Sequence, residues 1–282
     1  MNPVLAPPAP ERIIRARRGF AGLDLAELWR YRELFGFLAW RDVLVRYKQT
    51  YLGIAWAVLQ PVLTVLVFTL IFGRFAKFPS YGAPYDVLIL AALLPWQFFA
   101  NALTESSNSL VASARIVTKV YFPRLIIPFS AVLSGLVDAA IGFVILGLLM
   151  AWRGVTLRPE LLLLPVFAAL AFLAAFAVGL WMSALNVKYR DVRYVVPFIV
   201  RLGTYITPVG FVWQGVVPEK WRLLFCLNPL VGICDGFRWC VLGPQFEPWW
   251  PGFWFGLGLI FVLFASGLVY FRVAERQIAD LV

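Results

Sequence analysis

Asp138 lies near the middle of a long apolar run, and its carboxylate is the clearest candidate for chemistry in this sequence. An ionised carboxylate in hydrocarbon costs about 2.5–3.5 kcal/mol on insertion scales, so Asp138 should face the interior of a helix bundle or a water-filled path. It could serve a proton relay, contact a substrate in a transport channel, or link two helices through a hydrogen bond. Arg201, in a later apolar run, is one cation that could pair with it.

Residues that most catalytic centres need are missing from the sequence. It contains no histidine and no GxxxxGK[ST] motif, so it has neither a histidine-based centre nor a Walker-type ATP site of its own. It also lacks a DxD-like cluster for a metal–sugar-nucleotide site. We therefore predict that the chain alone is not an enzyme and binds no metal or cofactor.

Six long apolar runs must position the remaining polar residues. They comprise residues 53–73, 87–104, 125–152, 161–187, 194–218 and 249–271. Each has about 18–28 residues, and roughly 20 are needed to cross the hydrocarbon core of a bilayer. Hydrophobic residues make up 62% of the chain and charged residues 14%, which is more apolar surface than one soluble core could bury. The sequence predicts an all-α membrane protein with six transmembrane helices.

Basic residues are distributed unevenly between the two sides of these spans. The segments on the N-terminal side carry 18 Lys and Arg residues, and the opposite segments carry 7. Because basic residues are retained in the cytoplasm during insertion, we expect both termini to be cytoplasmic and the protein to lie in a bacterial inner membrane. Topology and contacts with anionic membrane lipid explain the net charge of +10 better than nucleic-acid binding does.

Two segments precede the membrane domain, which we assign to residues 49–282. Residues 1–24 are rich in Pro, Ala and Arg, and we interpret them as a cytoplasmic tail. Residues 25–48 are predicted to form an amphipathic helix, with Asp24 as its N-cap and Glu27 completing a capping box. Its mixture of aromatic and charged residues is typical of a helix that lies in the headgroup layer.

The connection between the second and third runs is too long for a tight turn and too short for a domain. Within it, residues 112–120 are predicted to form a short cytoplasmic helix that carries Arg115 and Lys119 four residues apart. The segment could dock a soluble partner or serve as a solvated connector.

The connection between the fifth and sixth runs contains two apolar pieces, separated by Asn228-Pro229 and ended by Gly243-Pro244. Each is about half a span, so residues 219–243 are predicted to form a re-entrant helical hairpin on the outer side. The many tryptophans nearby could form an interfacial aromatic belt or line a passage for sugars. Cys226, Cys234 and Cys240 lie in the same connection and either pack as small residues or include one disulfide.

Several motifs resemble those of ABC-2-type permeases, above all the permeases of polysaccharide and O-antigen exporters. The resemblance is collinear from about residue 30 to 272. It is carried by Arg41–Gly53 with Trp56 and Gln60-Pro61, by Val120–Arg124 with Ser134–Asp138, by Asn186–Arg193, and by Pro218–Arg222, Leu227–Pro229 and Gly236–Trp239.

The resemblance implies a homodimer that pairs with two copies of a separate ATPase subunit, which would bind ATP and Mg²⁺. It further implies a channel for a polysaccharide linked to lipid pyrophosphate, closed at rest by the outer hairpins. An exporter of a small drug or lipid would share this architecture and stays open as the alternative.

Particular residues acquire roles from this resemblance. At the cytoplasmic entry, Arg46 and Lys48 would meet the pyrophosphate and Tyr47 would stack on a proximal sugar, although the two basic residues could instead bind lipid headgroups. Contact with the ATPase would involve Arg115, Ile116, Lys119 and Tyr121. The channel or its gate would involve Trp56, Asp138, Trp213, Trp221 and Trp239.

Overall fold

The computed structural model describes residues 29–48, 53–119 and 122–281, and all regular elements within these ranges are helical. The helices are α1 (Arg32–Lys48), α2 (Gly53–Phe68, continued by a π-helical segment Thr69–Phe75), α3 (Tyr85–Ala112), α4 (Ala114–Val117), α5 (Ile126–Arg153), α6 (Leu164–Lys188), α7 (Val192–Ile206), α8 (Arg222–Phe225), α9 (Leu230–Leu242) and α10 (Trp250–Leu281). The predicted all-α class is confirmed.

Five helical segments in the described ranges are long and apolar enough to cross a membrane. They are Ala55–Phe75, Tyr85–Ala112, Ile126–Arg153, Pro159–Lys188 and Trp250–Glu275. They correspond to the first four predicted spans and the sixth. The main difference is that α3 continues for two turns beyond the predicted end at residue 104.

The fifth predicted span, residues 194–218, is not one continuous helix. Helix α7 ends at Ile206 after 15 residues, about 22 Å at 1.5 Å per residue. Pro208 lies two residues after this end, and proline cannot donate the backbone hydrogen bond that would continue the helix. The hydrogen bonds from Trp96 to Thr204 (3.0 Å) and from Tyr85 to the Gly210 carbonyl (2.8 Å) show that the chain nevertheless continues along α3.

The contacts between helices define two ends of the bundle. We call the end with residues 113–119, 122–125 and 189–191 the loop end, and the end with Tyr85 and residues 213–249 the hairpin end. The Arg153–Asp86 ion pair joins α5 to α3 at the hairpin end. At the loop end, Arg124 beside α5 donates to the carbonyl oxygen of Glu275 on α10, 2.5 Å away. α10 therefore approaches its C-terminus where α5 begins.

Helix α3 is the centre of the bundle, because it is apolar on all sides at its beginning. Seven consecutive residues, Val87–Leu93, are at most 1% exposed. Helix α6 packs along α3, with small residues such as Ala171, Ala174 and Gly179 at its buried positions. Small residues let helix backbones approach closely, which is the usual basis of packing between membrane helices.

Helix α1 packs along α5 and directs its last turn into the bundle. Phe35 contacts Phe129 with ring centroids 5.0 Å apart, and Tyr47 donates to Asp138. From the first contact to the second, α1 advances about 18 Å and α5 about 13 Å at 1.5 Å per residue. Residue numbers increase along both helices, so they run in the same direction, and the unequal lengths indicate an oblique crossing. Trp29, Phe37 and Trp40 remain exposed. Placement in the headgroup layer stays a prediction, and residues 25–28 lie outside the described ranges.

The predicted cytoplasmic helix over residues 112–120 has different bounds in the structure. Ala112 is the last residue of α3, Ser113 forms a turn, and α4 comprises only Ala114–Val117. The helical pattern that suggested one separate helix is divided by this turn between α3 and α4.

Between α7 and α10, the chain bends by 102° between Glu219–Phe225 and Leu230–Leu242, and Asn228-Pro229 lies in this break. The two pieces are unequal, since α8 has four residues and α9 has 13, and the re-entrant hairpin stays a prediction. The Asn228 Oδ1 atom accepts the backbone N–H of Leu230 at the start of α9. Helix α9 ends at Leu242 and is followed by Gly243, whose φ of 99° favours glycine. Trp213 precedes residues 219–243 and Trp249 follows them, and the ring centroids of these two tryptophans lie 6.3 Å apart. The segment therefore leaves and returns to one end of the bundle, while its insertion into a membrane stays a prediction.

Candidate functional site

A cleft of about 570 Å³ with polar and apolar walls opens between α1, α2, α3 and α5. Its polar lining consists of Arg46, Tyr47, Gln60, Gln97, Asn101, Thr104, Glu105 and Asp138. Trp56, Pro61 and Phe98 provide an apolar side. The cleft has a size typical of ligand pockets, which combine apolar walls with a few convergent polar groups.

The carboxylate of Asp138 accepts two donors from the last turns of α1. Arg46 Nη1 donates to Asp138 Oδ2, and the Tyr47 hydroxyl donates to Asp138 Oδ1. The suggested partner Arg201 instead lies exposed on α7 and forms no ion pair with Asp138. The correction follows from the course of α1, which carries a cation to the level of a carboxylate near the middle of α5.

Arg46 bridges two carboxylates from different helices. Its Nη2 atom donates to Glu105 Oε1 on α3 at 2.9 Å, while Nη1 binds Asp138 on α5. One cation and two anions therefore line the cleft, which gives it a formal charge of −1 when all three are ionised. Arg46 thus ties α1 to both α3 and α5.

Arg46 and Tyr47, the two donors from α1, both have raised pKa values. Helix α1 is not among the five spanning helices. Desolvation opposes the charge on Arg46, but the Asp138 and Glu105 carboxylates outweigh it and raise the pKa of the guanidinium. Burial, together with the hydrogen bond to Asp138, raises the pKa of Tyr47 well above its usual value. Both groups therefore act as hydrogen-bond donors near neutral pH.

The amides of the cleft were not identified from the sequence, although a signal exists. Gln97, Asn101 and Glu105 recur every four residues and therefore share one face of α3. Gly135, Ala139 and Gly142 on α5 also line the cleft, and the two glycines let Phe98 and Leu94 of α3 pack closely against α5. The polar stripe on α3 can accept hydroxyl groups or charged oxygens of a ligand.

The tryptophans predicted to line a channel do not come together. Trp56 lies in the cleft and is 58% exposed. Trp221 lines a separate apolar groove at the hairpin end, and Trp239 packs edge-to-face against Trp250 with ring centroids 5.7 Å apart. Trp213 is 1% exposed and cannot line a surface of a single chain, because its indole is buried beside Asp235.

A buried ion pair at the hairpin end was missed by the sequence reasoning, which treated Arg238 only as a charge on the outer side. Arg238 is 1% exposed and lies 3.8 Å from Asp235, which also accepts the Trp213 Nε1 proton at 2.6 Å. Arg238 further donates to the carbonyl oxygens of Leu88, Val209 and Phe211. The bonds to Val209 and Phe211 satisfy backbone groups that the break after α7 leaves without helical partners.

The sequence matches the ABC-2 type transporter family over residues 33–242. The chain belongs to this family. The predicted resemblance is therefore confirmed, and with its five long apolar helices this ABC-2 transporter chain is a multi-pass membrane protein.

Named relatives align with this chain over most of their length. The chain is 30% identical over 202 residues to an O-antigen export system permease protein of Klebsiella pneumoniae, covering 70% of this chain and 76% of the relative. It is 27% identical over 213 residues to the protein of that name from Myxococcus xanthus, covering 75% and 81%. The polysialic acid transport protein of Escherichia coli is 22% identical over 204 residues, covering 72% and 78%.

The residues predicted to couple this ABC-2 transporter chain to an ATPase lie at the loop end, away from the cleft. Arg115 and Lys119 are exposed, and Ile116 is half-buried. Tyr121 lies outside the described residues. Lys48 is exposed at the end of α1 and is not among the residues that line the cleft.

Proposed function

We propose that the chain is the transmembrane subunit of an ATP-driven exporter, which moves a polysaccharide linked to lipid pyrophosphate from the cytoplasmic to the outer side of the inner membrane. The observation that carries this proposal is the alignment, over about 200 residues, with permeases named for O-antigen and polysialic acid. The chain functions as a homodimer. Because it has no Walker motif of its own, it pairs with two copies of a separate ATPase subunit.

The charge asymmetry orients this exporter. The loop end carries the basic connections, which include Arg115, Lys119, Lys188 and Arg190, and it faces the cytoplasm under the positive-inside rule. Both α2 and α10 then have their loop-end termini in the cytoplasm. ATP binding in the partner moves the exposed turn around α4, and the movement reaches α3 directly because only Ser113 separates the two helices.

The cleft provides the first contacts with the substrate. A pyrophosphate accepts charge-assisted hydrogen bonds from the guanidinium of Arg46. Trp56 is exposed beside it and offers a flat apolar face to a sugar ring or a lipid chain. Gln97 and Asn101 supply amides that bind hydroxyl groups.

An exporter of a small drug or lipid is the second candidate. The size of the cleft favours it, since about 570 Å³ in one chain accommodates a drug-sized ligand. A polymer needs a passage that continues to the hairpin end, which two copies of the chain would have to enclose together.

Loss of Arg46 tests the proposal in cells. In a strain that lacks the native gene, the Arg46→Ala chain is expected to restore less than about a tenth of the surface polysaccharide, because phosphate contacts by Arg are strong and specific. Surface polysaccharide is measured by immunoblot, and lipid-linked glycan retained inside the cell by mass spectrometry.

Arg41→Ala provides the matched control. Arg41 lies on the same helix and pairs with its neighbour Asp42 at 2.7 Å, outside the cleft. It should restore normal polysaccharide at equal chain abundance. A gene deletion that leaves surface polysaccharide unchanged would reject polysaccharide export and favour the second candidate.

A further inference from the structure

We propose that the two carboxylates bound to Arg46 act in opposite directions on anion binding. Asp138 positions the guanidinium, whereas Glu105 occupies it and is displaced by a phosphate oxygen. The inference rests on the proposed function, since it names how the same cleft exchanges its resting contacts for the pyrophosphate group of a lipid carrier.

Asp138 has the properties of a positioning residue. Its side chain is 23% exposed and accepts both Arg46 and Tyr47, so one contact persists when the other is disturbed. It also lies near the middle of α5, on a helix whose backbone is held by its own hydrogen bonds. A carboxylate anchored in this way fixes the direction of Arg46 and leaves the other edge of the guanidinium towards the open cleft.

Glu105 has the properties of an exchangeable partner. Its side chain is 53% exposed and accepts a hydrogen bond from Arg46 Nη2 at 2.9 Å. An exposed ion pair contributes little because water screens both charges. A pyrophosphate offers several anionic oxygens to the same Nη2 group, and the freed Glu105 side chain turns into solvent at little cost.

Electrostatics makes this exchange necessary. With Asp138 and Glu105 both at Arg46, the charged lining of the cleft already carries an excess negative charge. An arriving anion is repelled by Glu105 and competes with it for the same donor. Neutralising Glu105 therefore improves anion binding, whereas neutralising Asp138 releases the guanidinium from its orientation and weakens binding.

The ligand class is a pyrophosphate ester that carries an apolar chain. Arg46 provides the anion contact, and Trp56, Pro61 and Phe98 provide the apolar contacts in the same cleft. Free pyrophosphate shares the first part of this chemistry and a lipid alcohol shares the second. Farnesyl pyrophosphate combines both in a soluble probe, and farnesol and inorganic pyrophosphate separate them.

The test measures binding of farnesyl pyrophosphate to the complete permease–ATPase complex in nanodiscs by isothermal titration calorimetry. Glu105→Gln is expected to lower the dissociation constant about threefold, and Asp138→Asn to raise it about tenfold or more. Asp42→Asn, the same change on α1 outside the cleft, should leave it unchanged. Inorganic pyrophosphate should bind more weakly, but Glu105→Gln should again bind it more tightly than the wild type and Asp138→Asn less tightly. The dissociation constant of farnesol should be the same for the wild type and both of these variants.

Tyr47→Phe keeps the test decisive if Asp138→Asn fails to assemble. It removes one of the two contacts that hold Asp138 while keeping all charges, and it should weaken binding by about threefold. Glu105→Gln and Asp138→Asn shifting the constant in the same direction would overturn the inference, as would no shift for either variant. If such a result is obtained while deletion of the gene abolishes surface polysaccharide, the inference fails and the proposed function stands, whereas a deletion that leaves surface polysaccharide unchanged rejects the function itself.

Discussion

The Arg238→Met permease is expected to unfold in mild detergent at temperatures that leave the wild-type protein intact. Removing one partner of a buried ion pair typically costs about 3–5 kcal/mol, because the other charge remains buried without compensation. Here that charge is Asp235, which is 3% exposed. The loss should appear as a large fall in the melting temperature, measured by fluorescence-detected size-exclusion chromatography after heating.

The backbone explains why this arginine matters beyond its charge. Val209 and Phe211 lie in the non-helical segment after α7, and their carbonyl oxygens accept Arg238 Nη2 at 2.9 Å and Nη1 at 3.0 Å. A third bond, from Arg238 Nε to the Leu88 carbonyl at 3.2 Å, attaches α9 to α3. Unsatisfied backbone groups in a membrane interior are unfavourable by several kcal/mol.

Three further variants separate charge from geometry. Arg238→Lys retains the charge but not the planar fork, so its stability should be intermediate. Adding Asp235→Asn to Arg238→Met should restore part of the loss, because it removes the uncompensated carboxylate. Lys220→Met, which removes an exposed cation of the same connection, should leave the melting temperature unchanged. Wild-type stability of Arg238→Met would show that the buried network does not hold this part of the fold.

The Arg115→Glu, Lys119→Glu double variant is expected to lose partner-dependent transport while it inserts and dimerises normally. Both side chains are exposed at the loop end, on and just after the four-residue helix α4. Reversing both charges places two glutamates against the acidic surface of the ATPase that Arg115 and Lys119 are expected to contact, and like charges facing each other cost several kcal/mol across an interface. Co-purification of the ATPase subunit and the ATP hydrolysis rate of the complex measure the loss, expected to be at least about tenfold.

Charge reversal at the other end controls for net charge and insertion. Arg74 and Lys220 are exposed cations of the hairpin end, and the Arg74→Glu, Lys220→Glu variant should bind the ATPase as the wild type does. Equal ATPase recovery from the loop-end variant and the wild type would remove Arg115 and Lys119 from the coupling surface.

Hydropathy predicted most of the helices, because roughly 20 apolar residues in sequence have few alternatives to a membrane helix. It failed at α7, where the apolar run continues to residue 218 but the helix ends at Ile206. Hydropathy measures the transfer of side chains and carries no information on whether backbone groups find partners elsewhere in the fold. Pro208 was a visible signal, whereas the bonds from Arg238 that make the break acceptable depend on tertiary structure.

The candidate site was predictable in its residue types but not in its arrangement. Asp138 was singled out because a carboxylate inside an apolar run requires a partner, yet the partner is Arg46 rather than Arg201. The course of α1 along α5 decides this, and no spacing in the sequence encodes it. Glu105 was assigned to a connection, and the extension of α3 brings it into the cleft.

Transport by the purified complex in proteoliposomes tests the central claim most directly. The permease and its ATPase are reconstituted with lipid-linked polysaccharide, or with the same lipid pyrophosphate without glycan, and the glycan that crosses the membrane is measured with an impermeant lectin. The account predicts ATP-dependent appearance of polysaccharide on the far side and ATP hydrolysis stimulated by the glycan-bearing substrate. Transport and hydrolysis that are indifferent to the glycan would contradict it.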